Sequence, residues 1–246
     1  MLRVRALVFF ACVLVWGRIG AASDNPCLDF DALYADIRDV RVAHDVARER
    51  LQALLPLVRD YFYAHGGKDA PRDAWRFPLE GYRADAIGGK NGSGYVAAGY
   101  DFFDGYTSHG HPAHDLFIHD RNGDELDDET RLPVRVLSMT SGIVVATASE
   151  WERGSVLRGG RYVWVYDPSQ DGLVYYAHNR ALLVKPGDIV TPGQAIATVG
   201  RSGRNASERR SPTHLHVMFL AIEAGYPRPR DIYRVLQSIG RRPVGP

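Results

Sequence analysis

The sequence predicts a mainly β protein in which short antiparallel strands form a sandwich or barrel, preceded by an N-terminal helical segment. Short runs of β-branched and aromatic residues recur from residue 95 onward, and turn residues separate them. The chain has 25 Gly and 13 Tyr, a composition that suits turns and pleated strands. Helical periodicity is confined to residues 30–63 and to a short stretch near the C-terminus.

Length and charge are those of an ordinary globular protein. The 246 residues are 45% hydrophobic and 24% charged, which leaves room for one or two domains. The formal net charge is only +1, so charge indicates neither a nucleic-acid partner nor a membrane-surface partner. We therefore predict no nucleic-acid partner.

Residues 1–22 have the pattern of an export signal. Two arginines precede an apolar run at residues 6–16, and small residues at 20–22 suit a cleavage site. A run of roughly eleven residues is too short to span a bilayer, which needs about 20. We expect export to the periplasm or the medium with no stable membrane span after cleavage; an uncleaved anchor is the alternative. Only Cys27 would then remain, so no intrachain disulfide could form.

Residues 30–63 carry apolar side chains at three- and four-residue steps, which predicts an amphipathic helix. Gly66 and Gly67 can end it, and Pro56 would kink the helix or split it in two. We assign residues 23–67 to an N-terminal helical segment that packs against its own domain. The alternative is a pro-segment or a helix that binds a regulatory partner.

Residues 68–94 are irregular and end in a glycine-rich run, which predicts a linker or a surface loop beside a site. The β pattern then begins, and residues 95–246 are assigned to one domain. Four strands are predicted at residues 135–137, 142–146, 162–166 and 173–177. A short helix over residues 231–239 closes the chain.

Histidine occurs beside β structure in three places: His111 with Asp115, His178, and His214 with His216. Alternate side chains of a strand share a face, so His214 and His216 would lie about 6–7 Å apart along one side. Two imidazoles and one carboxylate can hold Zn²⁺ with a fourth position open for water, the arrangement of catalytic sites. Such a zinc would lower the pKa of its water to about 7, and nearby histidines could then move protons and stabilise an oxyanion.

Four motifs occur in a fixed order: His111-x-x-x-Asp115, Tyr176-x-His178, a Pro-Gly-Asp-x-Val-x-x-Gly-Gln run at 186–194, and the paired histidines of the last strand. Together they resemble the LytM/lysostaphin-type M23 metallopeptidases over residues 95–222. The resemblance implies an antiparallel β-sandwich or barrel-like M23 catalytic domain with a groove for an extended peptide. It also implies peptide bonds of peptidoglycan as substrates.

The same resemblance implies a role for each residue of the motifs. His111, Asp115 and His216 would be the ligands of one zinc ion. His214 and His178 would activate water and stabilise the tetrahedral intermediate.

Two departures from the family pattern leave alternatives open. His114 stands where family members often carry an apolar residue, so His114 or His109 could compete as a ligand, although the His-x-x-x-Asp register favours His111. Residues 120–129 have the Asp-x-Asn-x-Asp spacing of a calcium loop but lack its glycine and its closing glutamate. We expect a solvated acidic loop there, with calcium binding as the alternative.

Two classes of function follow. The first is a secreted zinc endopeptidase that cuts peptidoglycan stems or cross-bridges, and the second is a non-catalytic or occluded M23-like module that binds or regulates another cell-wall hydrolase. All five site residues are present, which favours the enzyme. A third reading, a lipoyl- or biotin-carrier hairpin at 185–200, leaves the histidines unexplained.

Overall fold

The structure, a computed structural model, describes residues 24–242. The predicted signal peptide, residues 1–22, lies outside the described residues. Within the described range, no helix is long and apolar enough to cross a bilayer. Cys27 is a buried free thiol, and burial raises its pKa to about 12.

The described chain forms three α-helices and nine strands. The α-helices are α1 (Pro26–Arg38), α2 (His44–Ala64) and α3 (Tyr233–Gly240). The first five strands are β1 (His114–Phe117), β2 (Arg135–Leu137), β3 (Gly142–Ala148), β4 (Arg161–Asp167) and β5 (Gly172–Leu182). The remaining strands are β6 (Ile189–Val190), β7 (Ala195–Val199), β8 (His214–Glu223) and β9 (Tyr226–Arg230). Short 3₁₀ turns lie at Arg72–Ala74, Ala84–Ala86, Lys90–Gly92 and Phe102–Thr107.

All strand pairs are antiparallel, and the main path through the sheet is β1-β8-β5-β4-β3-β6. Strand β9 adds to β8, while β2 joins through β7. The long strand β5 changes partner along its length: Ala177 is the last residue paired with β8, and Asn179 is the first paired with β7. The four strands and the C-terminal helix predicted from sequence are present, and the mainly antiparallel β fold with an N-terminal helical segment is confirmed.

The sheet separates two apolar cores. We call the side covered by α1 and α2 the helical face; there Phe30 and Leu33 belong to the same core as Trp164 of β4. The opposite face packs against α3 and the segment before β1, with Trp75 and Leu236 in its core. Both sides of the central strands are therefore buried, which explains their nearly continuous apolar runs.

The N-terminal segment is two helices rather than one. The chain turns at residues 39–43, where Val40 has a left-handed φ of 53°. Helix α2 continues through Pro56, so of the two outcomes predicted there, a kink or a split, the split does not occur. Pro56 is exposed, and the carbonyl that loses its helical partner there can bond to water instead.

Residues 68–94 are packed against the sheet. Trp75 and Leu79 are buried, and Leu79 forms an isolated β-bridge with Val136 of β2. This burial does not fit a separate linker. The end of the segment does lie beside the histidine cluster, since the Gly88 N–H donates to the Asp115 carbonyl.

Candidate metal centre

Neighbouring strands bring Asp115, His214 and His216 together. Asp115 of β1 pairs directly with His216 of β8, so these two side chains form a cross-strand pair on one face of the sheet. His214 lies two residues earlier on β8 and shares the face of His216, as the strand period predicts. This is the helical face, because Met218 continues the same alternation and belongs to that core.

His178 reaches the same point from β5. Its neighbour Ala177 pairs with His216, and His178 sits in the irregular step at which β5 leaves β8 for β7. His178 has a φ of 66°, the left-handed region, which is uncommon for a residue other than glycine. Against β4, strand β5 carries a bulge at this point, because Tyr176 pairs with Val163 but Asn179 pairs with Arg161. The His178 imidazole faces the other histidines, and its ring centroid lies 4.9 Å from that of His214 and 5.5 Å from that of His216.

His111 enters from the irregular segment just before β1. It forms an isolated β-bridge with Val96, and its Nδ1–H donates to the Gly94 carbonyl at 2.8 Å. Its ring centroid stands 4.8 Å from that of His216 at nearly a right angle. The structure thus brings together all five residues singled out from the sequence.

Three of these side chains have the geometry of a ligand set. Asp115 Oδ1 lies 3.3 Å from His111 Nε2 and 3.1 Å from His216 Nδ1. One ligand atom from each residue lies within 4.8 Å of the other two. Around a tetrahedral ion with bonds of about 2.1 Å, ligand atoms stand about 3.4 Å apart. The donor set and its spacing therefore fit a zinc ion with a fourth position open.

Backbone carbonyls fix the tautomer of three imidazoles. The Nδ1–H groups of His111, His178 and His214 donate to the carbonyls of Gly94, Ser202 and Pro212, each at 2.8 Å. A carbonyl can only accept, so Nδ1 must carry the proton and Nε2 is left to face the centre. Because of this anchoring, each of the three rings presents the same nitrogen to a ligand.

Burial keeps His178 neutral. Desolvation, followed by the neighbouring His216 and His214, lowers the pKa of His178 to about 3. Desolvation also lowers the pKa of His216, against the opposing effect of Asp115. A neutral imidazole has a lone pair, which a metal ligand and a proton acceptor both require.

Asp115 is held ionised by the histidines around it. Burial raises the pKa of its carboxyl group, but the hydrogen bonds with His111 and His216 outweigh burial and leave the pKa well below its usual range. In turn, the hydrogen bond to Asp115 raises the pKa of His111, although burial opposes this. The centre thus attracts positive charge, as a cation site must.

The competing histidines lie elsewhere. His114 is buried on the opposite side of β1, where its Nε2 lies 3.0 Å from Asp231 Oδ1 and its ring stacks on Tyr95. His109 is exposed and belongs to neither potential ligand group found among residues 24–242. The second of these groups, His44 with Asp101 and Asp104, lies between α2 and the turn before β1.

The acidic stretch 120–129 does not gather its carboxylates around one point. Asp120 accepts hydrogen bonds from the N–H groups of Gly123, Asp124 and Glu125. Asp127 likewise accepts from two backbone N–H groups and from the Tyr82 hydroxyl. These side chains stabilise turns of their own loop, and no calcium-like ligand group forms there in the described chain.

Several supporting groups carried no signal in the sequence. The buried hydroxyl of Ser202 donates to the Asn179 carbonyl, and its own carbonyl accepts from His178. Gly203 has a φ of 100°, and a Cβ there would stand 2.7 Å from His178 Nδ1. The Arg158 guanidinium donates to the carbonyls of Tyr106 and Ser108, and so ties two loops together. A serine and a glycine in a turn, or an arginine in a loop, are too common to identify such roles.

Residues 126–225 match the sequence model of Peptidase family M23, which confirms the resemblance over this segment. Lysostaphin, an antimicrobial peptidase of Staphylococcus simulans, is 21% identical, with 62% of this chain and 51% of that chain covered and a TM-score of 0.39. A zinc-containing peptidase of Vibrio cholerae is 20% identical, with 66% and 39% covered and a TM-score of 0.40. The chain thus spans about half the length of these solved chains or less. The search of curated proteins finds no match.

Proposed function

We propose that this chain, which matches Peptidase family M23 over residues 126–225, is a zinc-dependent endopeptidase that hydrolyses peptide bonds of peptidoglycan. One observation carries the proposal: five side chains from three adjacent strands and the preceding segment converge on one point with a ligand set suited to zinc. The predicted export signal supports action in the periplasm or the medium, where peptidoglycan is found.

His111, Asp115 and His216 would hold a single zinc ion. When bound, zinc would supply Lewis acidity that lowers the pKa of a bound water, so that the water can lose a proton to a nearby base and act as a hydroxide nucleophile near neutral pH. The carboxylate is ionised and the carbonyl of Gly94 orients the His111 ring, so both ligands are already positioned; the Nε2 proton that Asp115 favours on His111 would leave when the metal binds.

His214 and His178 would act on the proton of the water that attacks the peptide bond. Both carry Nδ1–H bonded to a backbone carbonyl, so the Nε2 lone pair of a neutral ring can accept the proton of the attacking water. The Nε2 of His214 lies 3.8 Å from Asp115 Oδ1, at the edge of the ligand set. Once protonated, His214 becomes an N–H donor that can stabilise the oxyanion and deliver a proton to the leaving amine, while the neutral ring of His178 would accept a hydrogen bond from the attacking water.

The helical segment has a structural role in this proposal. Its apolar side chains belong to the core of the helical face, so the segment supports the sheet that carries the histidines. Its exposed side remains available to a regulatory partner, which is the second role that the sequence suggested.

The test is mass spectrometry of the fragments released from purified peptidoglycan by the zinc-loaded protein, with a chelator and His214→Ala as controls. We expect fragments with new amino termini that disappear with the chelator and with the variant. A folded, zinc-loaded protein that releases none would overturn the enzymatic proposal and favour the non-catalytic, regulatory alternative. Full activity of His214→Ala would overturn the role given to that residue.

A further inference from the structure

A concave site lies beyond the metal centre, where β1 ends and the antiparallel strand β8 begins. It is a cavity of about 1020 Å³ between the loop that follows β1 and the loop that precedes β8. We call it the arginine pocket, because five arginines contribute to its lining: Arg121, Arg153, Arg201, Arg209 and Arg210.

The arginine pocket is continuous with the metal centre along the chain. Pro212 lines the pocket, and its carbonyl accepts the Nδ1–H of His214. Because Pro212 precedes His214 by two residues, the separation along an extended chain is about 7 Å.

The charge of the pocket is not neutralised from within. Among the residues of the described range 24–242 that line it, Asp120 alone is acidic. Both carboxylate oxygens of Asp120 already accept hydrogen bonds, Oδ1 from backbone N–H groups and Oδ2 from the Glu125 N–H and the Thr213 hydroxyl. Asp128 approaches Arg121 only to 3.8 Å, and that arginine side chain is 97% exposed. The cluster therefore retains a net positive charge.

The arginines divide into two groups by their contacts. Arg201 donates to the carbonyls of Ser211 and Glu208, and Arg153 donates to the carbonyl of Ser207, so these two hold the wall of the pocket. Arg209 and Arg210 are exposed and have neither a hydrogen-bond partner nor an ion-pair partner among the described residues. Their guanidinium groups are free to bind an anion from outside the chain.

We propose that the arginine pocket binds a carboxylate of the substrate peptide, at two to three residues from the bond that is cut. The inference rests on the proposed function. An extended peptide advances about 3.3 Å per residue, so a carboxylate two or three residues away lies about 7–10 Å from the cut bond, which is comparable with the roughly 7 Å of extended chain between His214 and the pocket-lining Pro212. Guanidinium groups suit this ligand because their planar N–H donors match the two oxygens of a carboxylate.

The test uses two synthetic stem peptides that differ only in carrying a carboxylate or a carboxamide at that position. Wild-type full chain should cleave the carboxylate peptide with a kcat/KM about tenfold higher, mainly through KM. In the double variant Arg209→Gln, Arg210→Gln the preference should disappear, because kcat/KM for the carboxylate peptide should fall about tenfold more than kcat/KM for the carboxamide peptide. Arg204→Gln removes an exposed arginine from the same loop without touching the pocket, and should keep the preference.

Equal cleavage of both peptides by the wild type would overturn the inference, and so would an equal loss on both peptides in the double variant. Binding of the labelled peptides to the metal-free chain gives a readout that does not need turnover. Carboxylate preference in binding without any cleavage would retain the pocket and refute the proposed function. Competition by inorganic phosphate without discrimination between the peptides would show a general anion site and overturn the assignment to substrate.

Discussion

Truncation of Leu33 in α1 tests whether the helical segment is part of the folded domain. Leu33 is 1% exposed and lies in the core that contains Trp164 of β4. A buried Leu→Ala substitution costs about 2–5 kcal/mol, because it removes apolar contacts and leaves a cavity. For a domain of this size each kcal/mol lowers Tm by about 2–4 °C. We therefore expect Leu33→Ala to lower Tm by roughly 4–20 °C.

The matched control is Leu28→Ala on the same helix. Leu28 is 49% exposed, so this substitution should change the free energy of unfolding by no more than about 0.5 kcal/mol. Urea unfolding would be followed by tryptophan fluorescence, to which Trp75, Trp151 and Trp164 all contribute, and by far-UV circular dichroism. A pro-segment that is only loosely attached would unfold separately. If Leu33→Ala left the fluorescence transition in place, the reasoning would be refuted.

Three further predictions concern the metal centre. Asp115→Ala should abolish zinc binding and activity together, which metal analysis of the dialysed protein would check; retention of one equivalent of zinc would contradict the ligand assignment. His214→Ala should keep the metal but lower the rate by roughly 10²–10⁴-fold, as removal of an acid–base group does, and a stopped assay with metal analysis would separate the two effects. The third concerns pH: because the pKa of His178 is lowered from about 6.5 to about 3 on folding, the metal-free protein should lose stability as pH falls through this window. His178→Gln should flatten that slope in urea titrations, and an unchanged slope would argue against a neutral His178.

The candidate site was predicted partly from local patterns and partly from the resemblance to the M23 metallopeptidases, which alone implied the ligand set and the role of His178. The strand period alone places His214 and His216 on one face, and the i, i+4 spacing of His111 and Asp115 bridges the start of β1. What sequence could not supply is the pairing of β1 with β8. Register between strands distant in the chain depends on tertiary packing, which no local pattern specifies.

The features that the sequence analysis missed also depend on tertiary packing rather than on local pattern. Residues 68–94 show no periodicity, yet Trp75 is buried, because an irregular chain can place an apolar side chain wherever the sheet offers a cavity. The break between α1 and α2 depends on the left-handed Val40, not on the more conspicuous Pro56. The carbonyls that anchor the histidines belong to backbone, and residue identity carries no information about where a carbonyl will point.

The bulge at His178 makes the position of this imidazole depend on the number of residues in β5. Residues before His178 pair with β8, and residues after it pair with β7. The hydrogen-bond registers of both pairings therefore depend on the position of this one residue. A one-residue insertion or deletion between Leu173 and Ala181 would carry His178 to the opposite face or realign one of the partner strands. Evolution of this chain can therefore vary the length of its loops far more freely than the length of β5.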